Sequence, residues 1–175
     1  MRSRETTETP RHGSREYMFG APLGEAMTDW PDKKIYSTAL WYIRKHAIDP
    51  STWRWTQLGE PHAQVLYLVD LHAGELPVIS FFYSEARWYL FTSRRILGSF
   101  LGKAVEVAAL DVVTKRFGNF KGYGGRETEI MTFYLSDDSD VSLEYETAKA
   151  SMAPIYYMLY WQHKYPILDK LKAEP

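Results

Sequence analysis

The residues best suited to chemistry form a basic, glycine-rich segment at positions 115–126. Its cations are Lys115, Arg116, Lys121 and Arg126. Glycines at 118, 122, 124 and 125 lie among them, and glycine allows a loop to turn so that backbone amides converge on one point. The segment therefore predicts a site for an anion such as a phosphate or an anionic lipid headgroup. Aromatic residues alternate with these cations at Phe117, Phe120 and Tyr123. Their rings could insert into a membrane or stack on a nucleotide, or they could be core and rim residues of a hairpin.

A second candidate site is an aromatic segment near the C-terminus. It consists of Tyr156, Tyr157, Tyr160 and Trp161. At helical spacing these rings occupy more than one face, and only one face can cover a β-sheet core. If the other face is exposed, its tyrosine and tryptophan surface is typical of a protein contact. The alternative is that the tryptophans at positions 41, 53 and 55 pack over that face.

Sequence motifs of several enzyme classes are missing. The nearest match to a phosphate-binding loop, GSFLGKA at 98–104, is one residue short between its glycines and lacks the hydroxyl that binds magnesium. The chain has no Gly-x-Ser-x-Gly motif, and its five histidines are scattered. Asp70, His72 and Glu75 could supply metal ligands, but a surface turn explains them better. Cysteine is absent, which excludes disulfides and thiolate sites. We therefore expect a non-enzymatic binding protein with neither cofactor nor metal.

Charge is distributed unevenly along the chain, although its net value is −1. Residues 87–126 carry a charge of +6 and residues 127–148 a charge of −7. Adjacent antiparallel strands could pair these charges across a sheet, or the charges could form separate binding patches. Because the overall balance is not that of a polycation, no nucleic-acid partner is expected.

Strands are predicted from alternation of apolar and polar residues. The predicted strands are 63–70, two strands of one long hairpin within 76–100, two short strands on either side of a bend near Leu110, and a hairpin of 129–135 and 141–145. Six or seven antiparallel strands must hide their edges, and a barrel closed at one end by a helix does so. The expected fold class is α+β, mainly β.

Two helices are predicted, one on either side of the strands. Asp32 is expected to cap the first, and Asp49-Pro50 to end it. Its apolar face would contain Ile35, Ala39, Tyr42, Ile43 and His46. Ser151 is expected to cap the second helix, with Pro154 in its first turn and Pro166 at its end.

Three passages resemble bacterial pleckstrin-homology-like proteins, the family of small barrels that includes GRAM-type modules. They are WYLFTSRRILG at 88–98, ALDVV at 109–113, and the strand, turn, strand and helix of 130–163. The resemblance covers roughly residues 60–165 and implies an antiparallel barrel or sandwich with a C-terminal helix. Relatives that bind phosphoinositides use a basic first hairpin loop, whereas the corresponding loop here, His72–Glu75, is not basic.

These patterns divide the chain into a flexible leader (1–30), an N-terminal helix with an aromatic extension (31–59) and a pleckstrin-homology-like barrel (60–175). No apolar run reaches the roughly 20 residues that span a bilayer, so we expect a soluble cytoplasmic protein. The leading hypothesis is a module that binds a protein or peptide through the aromatic helix or a sheet edge. The alternatives are binding of an anionic membrane surface through the 115–126 loop, and an immunity or antitoxin-like role for the acidic hairpin at 137–146.

Overall fold

Residues 30–168 are the part of the chain that the computed structural model describes. They form two antiparallel sheets, an N-terminal and a C-terminal helix, and several short helical turns. The predicted leader lies outside the described residues except for Trp30. That residue is buried, and its ring meets Tyr165 of the C-terminal helix edge to face at 6.1 Å. None of the described helices is long and apolar enough to cross a membrane.

Helix α1 (Asp32–His46) confirms the first predicted helix. Ile35, Ala39 and Ile43 are fully buried on the predicted face. The predicted cap was wrong, because Pro31 occupies the N-cap position and Asp32 lies in the first turn. The Asp32 carboxylate instead accepts a hydrogen bond from Arg94 Nε at 2.8 Å, which ties the start of the helix to the first sheet.

The first sheet has five strands that follow one another in sequence order. They are β1 (Thr56–Leu58), β2 (Pro77–Ser84), β3 (Arg87–Thr92), β4 (Arg95–Phe100) and β5 (Lys103–Ala108). The long hairpin predicted within 76–100 is therefore three strands rather than two. The extra turn contains neither glycine nor proline. It is stabilised instead by the Thr92 hydroxyl, which accepts hydrogen bonds from the backbone amides of Arg94 and Arg95 at 3.0 and 2.8 Å.

The strand predicted at 63–70 was wrong. Ala63–Leu66 forms a short helix, α2, and the chain then runs irregularly to β2. The sheet edge beside β2 is already taken by β1, so the apolar segment covers the outer face of the sheet instead of adding a strand to it. Val65 is fully buried there, in a cluster with Trp88, Leu90 and Leu97.

The second sheet has three strands, β6 (Val112–Arg116), β7 (Thr128–Leu135) and β8 (Asp140–Glu146). The bend at Ala109–Asp111 and the last hairpin confirm the prediction. Strand β8 packs against β3 and β4, so the two sheets face each other. Within residues 30–168 no hydrogen-bonded ladder joins them, and the predicted closed barrel is not confirmed.

The C-terminal helix begins with α3 (Met152–Leu159), continues through a wide π-type turn at Tyr160–Lys164, and runs on over 165–168. Pro154 lies in the first turn, as predicted. The prediction that Pro166 ends the helix was wrong, since the wide turn before Pro166 accommodates its ring and missing amide. Ser151 occupies the N-cap position, but its hydroxyl donates to Ala148 O at 2.6 Å and makes no cap bond.

Candidate functional site

The aromatic residues of the C-terminal helix form core rather than an exposed contact surface. Tyr157 and Tyr160 are fully buried, and Trp161 is 3% exposed. The Tyr157 ring packs 4.8 Å from that of Phe91, and its hydroxyl donates to Thr92 O at 2.9 Å. The exposed contact surface predicted for these three residues is therefore not formed, because the first sheet covers one side of the helix and α1 covers another.

Tyr156, the fourth of these residues, is half-buried under the end of α1. Its ring stacks on the His46 imidazole with 4.0 Å between centroids and an interplanar angle of 5°, and Tyr42 meets it edge to face at 5.8 Å. Trp41 was expected to help cover this face, but it is 57% exposed. Trp53 does pack against the core, so the N-terminal segment covers the helix largely with residues other than Trp41.

The cations of the basic segment have separate local partners rather than one shared centre. Arg126 pairs with Glu129 at 3.1 Å, and the Lys121 ammonium lies 5.6 Å from the centre of the Tyr123 ring. Lys115 donates a hydrogen bond to the Gln162 side chain of the C-terminal helix. Arg116 is exposed at the end of β6 and makes no ion pair among the described residues. This arrangement does not gather the four charges around a single anion.

The loop between β6 and β7 is fixed to the end of β8 and to the chain that follows it. The Tyr145 hydroxyl donates to Phe117 O, and the Ala148 amide donates to Phe120 O at 2.8 Å. Phe117 and Phe120 pack against the core, as expected for hairpin residues, whereas Tyr123 is 69% exposed. The tip of the loop therefore presents one aromatic ring with Lys121 beside it.

The uneven charges are partly paired between and within strands. Glu144 of β8 is 8% exposed and pairs with Arg87 of β3 at 3.2 Å, in addition to the Arg126–Glu129 pair. Glu146 accepts the backbone amides of Arg54 and Trp55 at 2.8 and 2.9 Å. The Arg87–Glu144 pair joins strands of different sheets, and the Arg126–Glu129 pair lies within one segment. Neither is the predicted pairing between adjacent strands of one sheet.

A groove lies between β6 and the C-terminal helix. Strand β6 is hydrogen-bonded only to β7 within residues 30–168, so its other edge has no neighbouring strand. The groove has a volume of about 420 Å³. Leu110 and Val113 line its strand side, His163 and Pro166 line its helix side, and Trp161 contributes a buried surface.

Gln162 bridges the strand and the helix beside this groove. Its Nε2 donates to the backbone oxygen of Val113 at 3.3 Å, and its Oε1 accepts the ammonium of Lys115. Burial lowers the pKa of Lys115 below its ordinary value. No carboxylate among the described residues forms an ion pair with this ammonium. The groove therefore combines an apolar surface with a free strand edge, and its lining residue Gln162 contacts a cation that has no acidic partner.

No family model, curated protein or solved structure matched the chain.

The sequence predicted a binding role for Lys115 but not for the groove residues Val113, Gln162, His163 and Pro166. One signal was available at the bend: Val112 and Val113 are adjacent in a short strand, so only one of them can face the core.

A second cavity of about 420 Å³ lies on the outer face of the first sheet, between β5 and the irregular segment after α2. Arg95 lies in its wall and pairs with Glu75 at 2.6 Å and Glu106 at 2.5 Å. Glu75 points inward to Arg95, whereas Asp70 and His72 are exposed, so these three residues do not converge as metal ligands. Across residues 30–168 no group of three or more His, Asp or Glu side chains could hold a metal ion.

Proposed function

We propose that this protein binds an extended, acidic peptide segment of a partner protein in the groove between β6 and the C-terminal helix. The observation that carries the proposal is the free edge of β6 beside an apolar groove of about 420 Å³. An extended peptide can add to such an edge as a further strand, gaining affinity from main-chain hydrogen bonds and specificity from side-chain pockets. Arg116 and Lys164 lie close in sequence to lining residues of the strand side and the helix side, and their charges complement an acidic segment.

Exposed apolar side chains on both walls support the proposal. Val113 of β6 is 65% exposed and Leu110 is 44% exposed. Pro166, which lines the helix side, is also exposed. Single exposed apolar residues are common, but a concentration of them around one concave surface is characteristic of binding sites.

The order of elements agrees with the pleckstrin-homology-like fold that the sequence resembles, and we include that fold in the proposal. Seven consecutive antiparallel strands, β2 to β8, are followed by one C-terminal helix. Helix α1 and the short strand β1 precede this unit and pack on its helix and its sheet edge. The proposed groove is thus formed by elements inside the unit that carries the resemblance.

Selection of a random peptide library on the purified full chain tests the proposal. Enriched peptides should shift backbone amide NMR signals of β6 and the C-terminal helix. Val113→Glu should weaken their binding at least tenfold, because it places a carboxylate within the groove that repels acidic ligands. Ile130→Glu is the matched control, since Ile130 is 44% exposed on β7 and does not line the groove. Shifts confined to other surfaces, or equal effects of the two variants, would contradict the proposal.

Lys121 and Tyr123 favour a second candidate, binding of an anionic membrane surface by the β6–β7 loop. Tyr123 is exposed at the loop tip, and the Lys121 ammonium lies beside its ring. This candidate expects sedimentation with anionic but not neutral vesicles, and loss of sedimentation in Lys121→Glu and at high salt. Sedimentation that is insensitive to Lys121→Glu would exclude the loop as the contact.

An immunity or antitoxin-like role stays a prediction from the acidic hairpin at 137–146. Within that hairpin Glu144 and Glu146 are already engaged with Arg87 and with backbone amides. The exposed part is the turn from Asp137 to Asp140. A toxin contact would therefore use this turn, and Asp138→Lys would weaken it.

A further inference from the structure

We infer that the peptide bound in the β6 groove presents a carboxylate side chain to Lys115, and that Gln162 occupies the place of the bound peptide in the free protein. This inference rests on the proposed function, and it names the chemical group that the groove selects.

Lys115 is a partly buried cation whose partner is neutral. It lies opposite Phe133 in the β6–β7 ladder, and Phe133 is fully buried, so the Lys115 side chain starts from the inner face of the sheet. Cations in such positions are normally paired with an acid, because burial removes part of their hydration. Here the acceptor is the Gln162 carboxamide, and the burial lowers the Lys115 pKa. The Lys115 ammonium therefore has a neutral acceptor where a carboxylate would also offset its charge.

The Gln162 carboxamide makes the two contacts that an added peptide would make. Its N–H group donates to Val113 O, which belongs to the strand without a second neighbour. Its oxygen accepts from Lys115. A ligand backbone amide can replace the first contact and a ligand carboxylate the second. The exchange is favourable at Lys115, because a carboxylate adds the attraction of opposite charges to the hydrogen bond that the neutral carboxamide already accepts.

The charges around the groove favour an acidic ligand over a neutral one. Arg116 is exposed next to Lys115, and Lys164 follows His163 on the helix side. Asp111, at the bend before β6, is the acidic residue that adjoins the lining residues Leu110 and Val112. Asp111 lies just before the start of β6 and would repel a ligand carboxylate there, so the preferred carboxylate should lie toward the end of β6 that carries Lys115.

Substitutions at Lys115 and Gln162, together with an acid-to-amide change in the peptide, test this selection. Peptides are selected from a random library on the full chain, and each enriched peptide is synthesised with its acidic residue and with the corresponding amide. Wild-type protein should bind the acidic form roughly tenfold more tightly. Lys115→Met should remove that preference. Gln162→Glu should weaken the acidic form roughly tenfold, since a resident carboxylate then neutralises Lys115, whereas Gln162→Ala should strengthen it.

Arg116→Met provides the control for general electrostatic attraction. It should weaken every acidic peptide modestly and in a salt-dependent way, without removing the preference for one carboxylate position. Enriched peptides that shift β6 signals yet bind equally well as acid and amide would overturn the inference and the preference for acidic segments, but would leave peptide binding at the β6 edge standing. Peptides that bind elsewhere would overturn both. Gln162→Glu keeps the test decisive if Lys115→Met fails to fold.

Discussion

Glu75 and Arg95 form the most buried ion pair among the described residues, with side-chain exposures of 1% and 10%. Burial by itself would raise the Glu75 pKa, but hydrogen bonds from Arg95, from Thr92 and from the His72 amide outweigh it, and the pKa is lowered. The pair joins the segment before β2 to the start of β4. It thereby holds the irregular chain against the outer face of the first sheet.

Arg95→Met should reduce the free energy of unfolding by about 3–5 kcal/mol at pH 7, because it leaves a buried carboxylate without its cation. The Glu75 pKa is lowered in the wild type, so the pair stabilises the fold above the ordinary value of 4.5 and this contribution is lost as the pH falls through the folded pKa. In the variant burial raises the Glu75 pKa instead. The difference between the two proteins should therefore begin to shrink above pH 4.5, as Glu75 of the folded variant takes up a proton, and shrink further as the pH falls through the folded Glu75 pKa of the wild type. Denaturant unfolding across pH measures this difference.

Arg54→Met is the matched control for the Arg95 experiment. Arg54 pairs with Glu127, but the two side chains are 65% and 66% exposed. Its removal should change the free energy of unfolding by at most about 1 kcal/mol at every pH. Equal losses in the two variants, or an Arg95 effect that is constant with pH, would show that the Glu75 charge is not what makes Arg95 necessary.

Gly98 of β4 has no space for a side chain. A Cβ atom on this residue would lie 2.7 Å from Leu143 Cδ2 of β8 and 2.7 Å from Trp88 O of β3. Gly98→Ala should therefore lower the free energy of unfolding by about 1–3 kcal/mol through overpacking. Ala104→Ser on the adjacent strand is a control with a similar change in size at an exposed position. Thermal unfolding of both variants measures the difference, and a neutral Gly98→Ala would indicate that β8 shifts away without loss.

At the scale of elements, sequence patterns predicted strands and turns correctly where the local sequence decides the structure. Alternation of apolar and polar residues over 129–135 and 141–145, with a polar turn between them, predicted the last hairpin. The bend near Leu110 was predicted in the same way. The turn at Ser93-Arg94 was missed because a threonine hydroxyl shapes it. The apolar run at 63–70 was misassigned because strand and surface cover have the same composition, and only the pairing of β1 with β2 distinguishes them.

The candidate groove could be predicted only in part. The sequence identified Lys115 as a possible anion partner, but the side chain that contacts it, Gln162, is 47 positions away on another element. Which aromatic residues of the C-terminal helix are exposed depends on where α1 packs, and helical periodicity contains no information on that choice. Pro166 was a reasonable helix end, and the wide turn at Tyr160–Lys164 that accommodates it has no recognised sequence signal.

Helix α1 contributes residues to the core, so substitution of a buried residue of this helix should destabilise the protein. Ile43 is fully buried, so Ile43→Ala should lower the free energy of unfolding by about 2–5 kcal/mol. Trp41 is on the same helix and 57% exposed, and Trp41→Ala should change stability by less than about 0.5 kcal/mol despite the larger side chain removed. Denaturant unfolding followed by circular dichroism measures both. A small effect of Ile43→Ala would mean that α1 detaches before the sheets unfold.

At the scale of the whole molecule, one apolar cluster joins elements that are distant in sequence. Ile35 of α1, Phe91 of β3, Phe133 of β7 and Tyr157 of α3 belong to it, so both sheets and both long helices share buried surface. The smaller cluster around Val65 and Trp88 lies on the opposite face of the first sheet and shares strands β3 and β4 with the main core.

Shared strands couple the two clusters, and we expect residues 30–168 to unfold in one cooperative transition. Far-UV circular dichroism follows the helices and strands, whereas tryptophan fluorescence follows the buried Trp30, Trp88 and Trp161. The two signals should have the same denaturation midpoint, and Ile43→Ala should shift both midpoints equally. Fluorescence that changes first would identify the outer-face cluster around Trp88 as a separate unit, since that cluster is fixed mainly by the short segment between α2 and β2. If the two midpoints coincide in the wild type but differ in Arg95→Met, the Glu75–Arg95 pair couples the two apolar clusters, because that pair anchors the segment between α2 and β2 to β4.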